Sequence, residues 1–442
     1  MNTDQQAVSP KVLRRVLGAT LVGSSLEWYD FFLYATASAL VFGSVFFPTD
    51  DPSIGTLLAL ATFGVGFFAR PVGAVVFGYI GDRYGRKPAL VATLILMGVT
   101  TALIGLVPSY QTIGVWAPVC LVVLRLLQGF GAGAEHAGAT VFSTEYASQG
   151  RRGVFGSFPS SGLYIGVLLS SSTFGLFAML PEEQFVTWGW RIPFLVSFVL
   201  VGIGLFMRMR IAETPEFRQI VNKQQERSTS PLVAMFRHQW RSVLVVLGIV
   251  AGPFTATYVY QTYSLAYMRD RLEVSSSYGT TGLIIAALVA TGMIPVAGWL
   301  SDLFGRRPIV ILGSLASAGF AFPFFALLST RSEIGVVVAM IGGIGIGVPL
   351  MLGPQGALLT ELFSAENRFS GFSVSREIGA LLFAGFTPMI AAVLVAAAGG
   401  NTWLVSLYVI VGCALTLVTA AMIRETADPR GTRRQTATVA HV

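Results

Sequence analysis

The sequence has little charge and almost no cysteine. Only 12% of its 442 residues are Asp, Glu, Lys or Arg, about half the share of a soluble domain. Cys120 and Cys413 are its two cysteines and both lie in apolar stretches, which excludes a disulfide scaffold and a four-ligand zinc site. With 54% hydrophobic residues and a mean hydropathy of +0.70, the apolar surface exceeds what one core can hide. A soluble enzyme and a disordered chain are therefore excluded, and lipid must cover much of the surface.

Polar breaks divide the chain into twelve long apolar segments, each near or above the roughly 20 residues that a helix needs to cross the hydrocarbon core. They span residues 16–47, 54–81, 88–108, 113–146, 153–178, 190–210, 241–269, 277–303, 308–329, 334–364, 368–397 and 402–424. Backbone groups in lipid must bond within their own segment, and these segments are far longer than barrel strands. The sequence therefore predicts an all-α membrane protein with twelve transmembrane helices.

The basic residues are distributed unevenly between the predicted loops. If the N-terminus is cytoplasmic, 22 Lys and Arg residues lie in or beside cytoplasmic segments and four lie outside: Arg191, Arg269, Arg271 and Arg331. This imbalance predicts that both termini are cytoplasmic. It also accounts for the net charge of +7, so no nucleic-acid partner is expected.

An internal repeat divides the chain into two halves. Residues 78–87 read GYIGDRYGRK and residues 298–307 read GWLSDLFGRR, while Glu145 precedes Arg152 by the same seven positions by which Glu361 precedes Arg368. We predict a six-helix bundle over 1–210, a polar cytoplasmic linker over 211–240, a second six-helix bundle over 241–424 and a cytoplasmic tail over 425–442. Duplicated bundles of this kind build alternating-access transporters, whose site lies near the membrane midplane between the repeats.

Several ordered motifs resemble those of a known family. The two loop signatures and RLLQGFGAG at 125–133 are similar to motifs of the major facilitator superfamily. Four further segments resemble motifs of one branch of this superfamily, the metabolite:proton symporters. They are SSLEWYDFFLY at 24–34, ARPVGAVVFGYIGDRYGRK at 69–87, WGWRIPFL at 188–195 and ETPEF at 213–217. The resemblance implies two pseudo-symmetric six-helix bundles in the inner membrane, proton-coupled transport of organic acids, proline or betaine, and no enzymatic activity. We also expect a monomer in the lipid bilayer without cofactor or metal.

The resemblance implies a conformational latch on the cytoplasmic side. Asp82 is suited to bond the free N–H groups at a neighbouring helix start, and Asp302 is its repeat partner. The alternative is that these residues only anchor the topology. The latch candidates are Gly78, Asp82, Gly85, Arg86, Glu145, Arg152, Asp302, Gly305, Arg306, Glu361 and Arg368.

Ionisable residues inside the helices are the main functional signal, because each is costly in a bilayer and must face the protein interior. Four acids and three arginines lie there, so one carboxylate is available to carry a proton. For Glu27 or Asp30 a structural ion pair is an equal alternative, and His136 is as well explained by packing as by a relay. The proton-coupling candidates are Glu27, Asp30, Arg125, Glu135, His136 and Glu377.

Arginines and aromatic residues are the candidates for substrate binding. Arg70 lies deep in helix 2, where a guanidinium suits a substrate carboxylate or pairing with Asp30. Helix 7 carries a polar aromatic cluster, although core packing explains part of it. The adjacent charges of Arg376 and Glu377 depart from the uncharged segment that the family leads us to expect. The substrate-binding candidates are Arg70, Arg376, Trp28, Tyr29, Tyr258 and Gln261.

The predicted function is import of a small organic acid together with protons, the acid being shikimate-like, a dicarboxylate or aromatic. One alternative is a betaine or proline symporter that holds its cation on Trp28 and Tyr29, although the tail lacks the heptads of osmosensing relatives. Another is a transporter-like receptor that binds without translocating. The glycine-rich segments 129–138 and 342–347 do not read as nucleotide loops.

Overall fold

The computed structural model describes residues 10–84, 86–148, 150–209, 239–363 and 368–427. Within these ranges the chain forms twelve long helical segments. They are α1 (Pro10–Leu40), α2 (Pro52–Tyr84), α3 (Arg86–Leu106), α4 (Trp116–Glu145), α5 (Arg152–Ala178), α6 (Arg191–Met209), α7 (Trp240–Asp270), α8 (Ser276–Phe304), α9 (Arg306–Leu328), α10 (Glu333–Glu361), α11 (Arg368–Ala397) and α12 (Trp403–Met422). Short helical turns cover Phe42–Phe46, Tyr110–Ile113, Glu182–Gln184 and Phe185–Gly189.

The helices have the length and composition of membrane spans. Ten helical stretches in the described ranges are long and apolar enough to cross a bilayer, and Val91–Leu106 in α3 is a shorter apolar helix. The 31-residue α1 is less apolar because it carries Glu27 and Asp30. Large apolar side chains point outward, among them Phe198, Leu176 and Met422, as expected for a surface that lipid solvates. The all-α membrane prediction is therefore confirmed.

Several of the long helices contain irregular stretches that the hydropathy pattern does not show. Helix α4 starts at Trp116 rather than at 113, and it is interrupted at Gly133 and Ala134 between two α-helical parts. Helices α7, α10 and α11 each contain a π-helical stretch, at Tyr258–Tyr263, Ile341–Gly347 and Leu381–Gly385. Such stretches often occur at functional sites.

The N-terminal half (α1–α6) and the C-terminal half (α7–α12) meet along two seams. Helix α5 packs against α8, and α2 packs against α11. Glycines allow the helices to approach closely: a Cβ on Gly298 of α8 would lie 2.6 Å from the carbonyl oxygen of Gly153. Small residues at such crossings let backbones touch.

Part of the prediction lies outside the described residues. The polar linker falls mostly on 210–238, and Gly85 and most of the tail are also excluded. The same holds for the side chains of Asp82 and Arg86, although their backbones belong to α2 and α3.

Candidate functional site between the two halves

Four of the predicted intramembrane charges form one buried cluster. Glu377 of α11 accepts from Nε of Arg70 through Oε2 at 2.6 Å, and from Arg376 through Oε1 at 2.7 Å. Glu27 of α1 lies 3.8 Å from the Arg70 guanidinium. All four residues are at most 2% exposed. One carboxylate of the C-terminal half thus joins two guanidiniums, of which one belongs to the N-terminal half.

Aromatic rings surround the two guanidiniums. The Arg70 guanidinium carbon lies 5.1 Å from the Phe31 ring centre and 5.7 Å from that of Trp28. That of Arg376 lies 5.2 Å from the Phe254 ring and 5.9 Å from Trp28. Ring faces attract cations, so these rings help to retain both charges in a dry interior.

Next to the cluster is a small cavity of about 10 Å³, room for about one water molecule. Both halves line it: Trp28, Phe32, His136, Ser160 and Leu163 from the N-terminal half, and Phe254, Thr257, Tyr258, Leu352, Gln355 and Arg376 from the C-terminal half. Its wall contains a guanidinium and, among the described residues, no carboxylate. It lies where the sequence predicts a substrate site, between the repeats.

Several polar atoms of the cavity wall lack hydrogen-bond partners within the described part of the chain. They are Nε1 of Trp28, Nδ1 of His136, Nε2 of Gln355 and Nε of Arg376. Three of them are donors, since indole, amide and guanidinium nitrogens carry hydrogens. Buried donors are rarely left unpaired. The wall is therefore suited to a ligand with several oxygen acceptors.

A second buried polar cluster lies wholly within the N-terminal half. Arg125 donates to Gln128 at 2.5 Å and to the Phe63 carbonyl at 3.3 Å, and its guanidinium carbon lies 4.2 Å from the Tyr34 ring centre. Gln128 donates to Thr101 at 2.7 Å. Asp30 accepts from the hydroxyl of Ser197 on α6. These contacts tie α1, α2, α3, α4 and α6 together and do not reach the other half.

Two expectations about the sequence-predicted residues need correction. Arg70 pairs with Glu377 and Glu27 rather than with Asp30, whose partner is Ser197 of α6. Tyr29 donates to the Pro193 carbonyl at 2.7 Å and does not reach the cavity wall. Tyr29 lies about 100° around α1 from Trp28, and its hydroxyl is directed to α6 instead of the cavity.

The remaining candidates are divided between the cavity and its surroundings. Trp28, Tyr258 and His136 line the cavity. Glu135 is 1% exposed and precedes His136 on α4, whereas Gln261 is buried on α7 outside the cavity wall. Sequence reasoning missed Gln355, Thr257 and Ser160. Gln355 is a polar residue in the apolar stretch of α10 and was a readable signal, but hydroxyl residues are too frequent in helices to stand out.

The second loop signature forms contacts between the halves. Asp302 accepts from the backbone nitrogens of Gly153 at 2.8 Å and Val154 at 3.0 Å, at the start of α5. Arg306 bonds Asp302 at 2.7 Å and lies 3.5 Å from Glu361. Because the N-terminus of a helix attracts a carboxylate, this arrangement holds the halves together at the predicted cytoplasmic end.

Other latch candidates surround this contact. Arg368 of α11 lies 3.8 Å from Glu145 of α4, and Gly305 has a φ of 101° that favours glycine. Arg152 is exposed, and Gly78 is buried in α2. Sequence reasoning missed Glu425, which we had assigned to the tail but which accepts from the Arg306 and Arg307 backbone nitrogens at 2.8 and 3.1 Å.

The opposite end is also closed. Arg269 at the end of α7 donates to Thr56 at the start of α2 at 2.5 Å and pairs with Asp270 at 2.6 Å. The two halves are therefore in contact at both ends of the molecule.

The Major Facilitator Superfamily model matches residues 20–384 and 267–440. The chain belongs to the major facilitator superfamily. It is 38% identical over 426 residues to the shikimate transporter of Escherichia coli strain K12, covering 96% of this chain and 97% of the relative. It is 39% identical over 418 residues to the inner membrane metabolite transport protein YhjE of the same strain, covering 93% and 94%. The predicted membership among metabolite transporters is confirmed.

A relative with a different substrate is nearly as similar, and solved structures share the fold. The proline/betaine transporter of Salmonella typhimurium strain LT2 is 36% identical over 426 residues, covering 94% of this chain and 84% of the relative. The proton:xylose symporter XylE superposes with a TM-score of 0.75 at 18% identity, covering 95% of this chain and 98% of XylE. The predicted twelve-helix architecture of two pseudo-symmetric bundles is confirmed, and the chain is a transporter, not an enzyme.

Proposed function

We propose that the chain is a proton-coupled symporter that imports a small organic carboxylate by alternating access. The observation that carries this proposal is Arg376 in the wall of a cavity between the halves, beside donors of Trp28 and Gln355 that have no partner among the described residues. A guanidinium binds a carboxylate through two parallel hydrogen bonds, and the other donors suit hydroxyl or oxo groups. Arg70, joined to the same Glu377, supplies a second guanidinium.

Buried carboxylates are the proposed proton carriers. Glu27, Glu135 and Glu377 lie where the two halves meet, whereas Asp30 lies within the N-terminal half. A carboxylate in a dry site is costly when charged and unpaired, so it takes up a proton when its counter-ion leaves. The relatives support the proposed transport only through family membership. Their names state transport of shikimate or of proline and betaine, and they do not identify a proton carrier.

The setting of the transporter is part of the proposal. We propose an inner-membrane protein with cytoplasmic termini, working as a monomer with lipid, proton and passenger as its partners. The divisions are those predicted: bundles over 1–210 and 241–424, a linker over 211–240 and a tail from 425. The loop distribution of Lys and Arg supports this orientation.

Uptake into proteoliposomes tests the substrate and the coupling together. Purified protein is reconstituted into liposomes, and the outside is made more acidic than the inside. Uptake of radiolabelled shikimate, α-ketoglutarate, benzoate and glycine betaine is then measured. We expect uptake of at least one carboxylate that is not a zwitterion, and its loss when the gradient is dissipated. Arg70→Ala should abolish this uptake because it removes one of the two guanidiniums, whereas the exposed Glu333→Gln should retain it. Uptake that ignores the gradient would contradict symport.

The aromatic cavity wall supports a second candidate, a zwitterion such as betaine. Trp28, Phe32 and Tyr258 offer ring faces to a quaternary ammonium, while Arg376 takes its carboxylate. Selective uptake of glycine betaine in the same panel would establish this candidate in place of the first. Saturable binding of a panel compound without flux would instead indicate a receptor.

A further inference from the structure

The carboxylate of Glu377 is shared by the guanidiniums of Arg70 and Arg376. Its two oxygens each bind a different guanidinium, at 2.6 Å on Arg70 and 2.7 Å on Arg376. Both carboxylate oxygens are thus hydrogen-bonded, whereas Nε of Arg376 has no partner within the described part of the chain. A carboxylate between two guanidiniums is also the arrangement that an incoming organic acid would adopt at this place.

We propose that Glu377 is a resident counter-ion occupying the position of the substrate carboxylate, and that the substrate displaces it while a proton neutralises it. The inference rests on the proposed function, because it assigns that carboxylate a place. The exchange is balanced: the incoming carboxylate takes the two guanidiniums, Glu377 leaves them, and one proton binds Glu377. Each carboxylate therefore carries one proton inward.

The position of Glu377 makes it replaceable. It stands on α11, next to Arg376, which lines the cavity. A ligand carboxylate that enters when the cavity widens would therefore reach Arg376 directly. Displacing Glu377 from Arg70 also removes an ion pair between α2 and α11, two helices that pack across the seam. Substrate binding and separation of the halves at this seam are thereby linked.

Other charged groups surround the pair and must be weighed. Helix α1 presents Glu27, which interacts with Glu135, Arg70, Arg376 and Glu377. His136 of α4 interacts electrostatically with Arg376 and Arg70. Tyr258 of α7 interacts electrostatically with Glu377 and with the three arginines Arg70, Arg376 and Arg125. Glu377 is the carboxylate hydrogen-bonded to both Arg70 and Arg376 in this part of the structure, so its exchange changes the neutralisation of both.

Acetate tests the substitution without knowledge of the substrate. Glu377→Ala leaves Arg70 and Arg376 with a vacated carboxylate position, and acetate is the smallest close mimic of the lost group. We expect acetate to raise the Tm of this variant in a concentration-dependent way, because a ligand that binds only the folded state stabilises it. At about pH 8, wild type and the exposed control Glu333→Ala should respond to acetate no more than to chloride at equal ionic strength.

Glu377→Gln covers the case in which the alanine variant does not fold. It keeps the side-chain volume and removes only the charge, so its Tm should also rise more with acetate than that of wild type. If neither variant distinguishes acetate from chloride, Glu377 does not hold a replaceable carboxylate position and the inference is overturned. Uptake of a carboxylate by wild type in that case leaves the proposed function intact. An acetate response without any uptake rejects the proposed function alone.

The proton is tested by the pH dependence of the same response. Between about pH 8 and about pH 5.5 acetate in solution remains mostly ionised, whereas the proposal requires a displaced carboxylate, left without its counter-ions in a dry site, to take up a proton. We expect wild type to become more responsive to acetate as the pH falls, and Glu377→Gln to show the same response at both values. An equal pH dependence in the variant would assign the proton to another group, such as His136 or Glu27, and overturn this half of the inference.

Discussion

At the scale of single residues, the two guanidiniums of the N-terminal half differ in what neutralises them. Arg70 is paired with carboxylates on two helices. Within the described residues, Arg125 is hydrogen-bonded to an amide and a backbone carbonyl and surrounded by the rings of Phe31, Tyr34 and Phe63. We therefore expect Arg70 to exchange its partner during transport, and Arg125 to contribute to the packing of the N-terminal bundle.

Arg376 lines the cavity and Arg125 does not, so we expect different effects of the Arg→Lys substitution at these two positions. Arg376→Lys keeps a charge at the cavity but loses the planar fork that grips a carboxylate, so KM should rise about tenfold or more, which corresponds to about 1.4 kcal/mol. Arg125→Lys loses ring stacking and two-point bonding, so it should lower the Tm with little change in KM. Uptake kinetics and thermal unfolding of both variants provide the check. A raised KM in Arg125→Lys would place that residue at the site.

All four residues of the charge cluster were predictable, but their pairing was not. A charged residue is conspicuous in an apolar helix, so Glu27, Arg70, Arg376 and Glu377 were identified from the sequence. Their pairing joins positions 307 residues apart and depends on how two helices are rotated, which no local pattern records. The same reason explains why the sequence offered Asp30 as one of two possible partners of Arg70, beside a substrate carboxylate, and not Glu377 or Glu27.

At the scale of helices, hydropathy predicted the number of segments and most of their bounds because lipid demands long apolar stretches. It did not predict the π-helical stretches, since one extra residue in a turn leaves the apolar character unchanged. The stretch at Tyr258–Tyr263 matters for the site. It rotates the rest of α7 relative to its first part, and Tyr258 at its start lines the cavity.

The carboxylate of Asp302 at the start of α5 leads to a prediction about conformation. Asp302→Asn removes a charge that accepts two backbone hydrogen bonds across the halves, so the predicted cytoplasmic end should open more often. The reporter is Ser157→Cys in a background with Cys120→Ser and Cys413→Ser, because Ser157 is fully buried beside this contact. Labelling by a water-soluble maleimide should accelerate several-fold in Asp302→Asn. It should stay unchanged in Glu333→Gln, and equal rates in all three proteins would show that Asp302 does not hold this end closed.

At the scale of the whole molecule, the uneven loops predict one orientation. Since 22 basic residues lie on one side and four on the other, a fluorescent protein fused after residue 442 should fluoresce inside cells. Alkaline phosphatase at the same position should be inactive, and active when inserted after Arg331. The opposite pattern would reverse the assignment of the two ends and with it the side on which Asp302 acts.

The ion pair between Arg70 and Glu377 has a final consequence for the journey of the empty carrier. Because Glu377 neutralises guanidinium charge in the absence of substrate, we expect the substrate-free transporter to close. After each release of substrate it should then return to the outward-facing state without a bound substrate. We therefore expect net accumulation of substrate against its concentration gradient. An obligatory exchanger would instead stop when no substrate is present on the opposite side of the membrane.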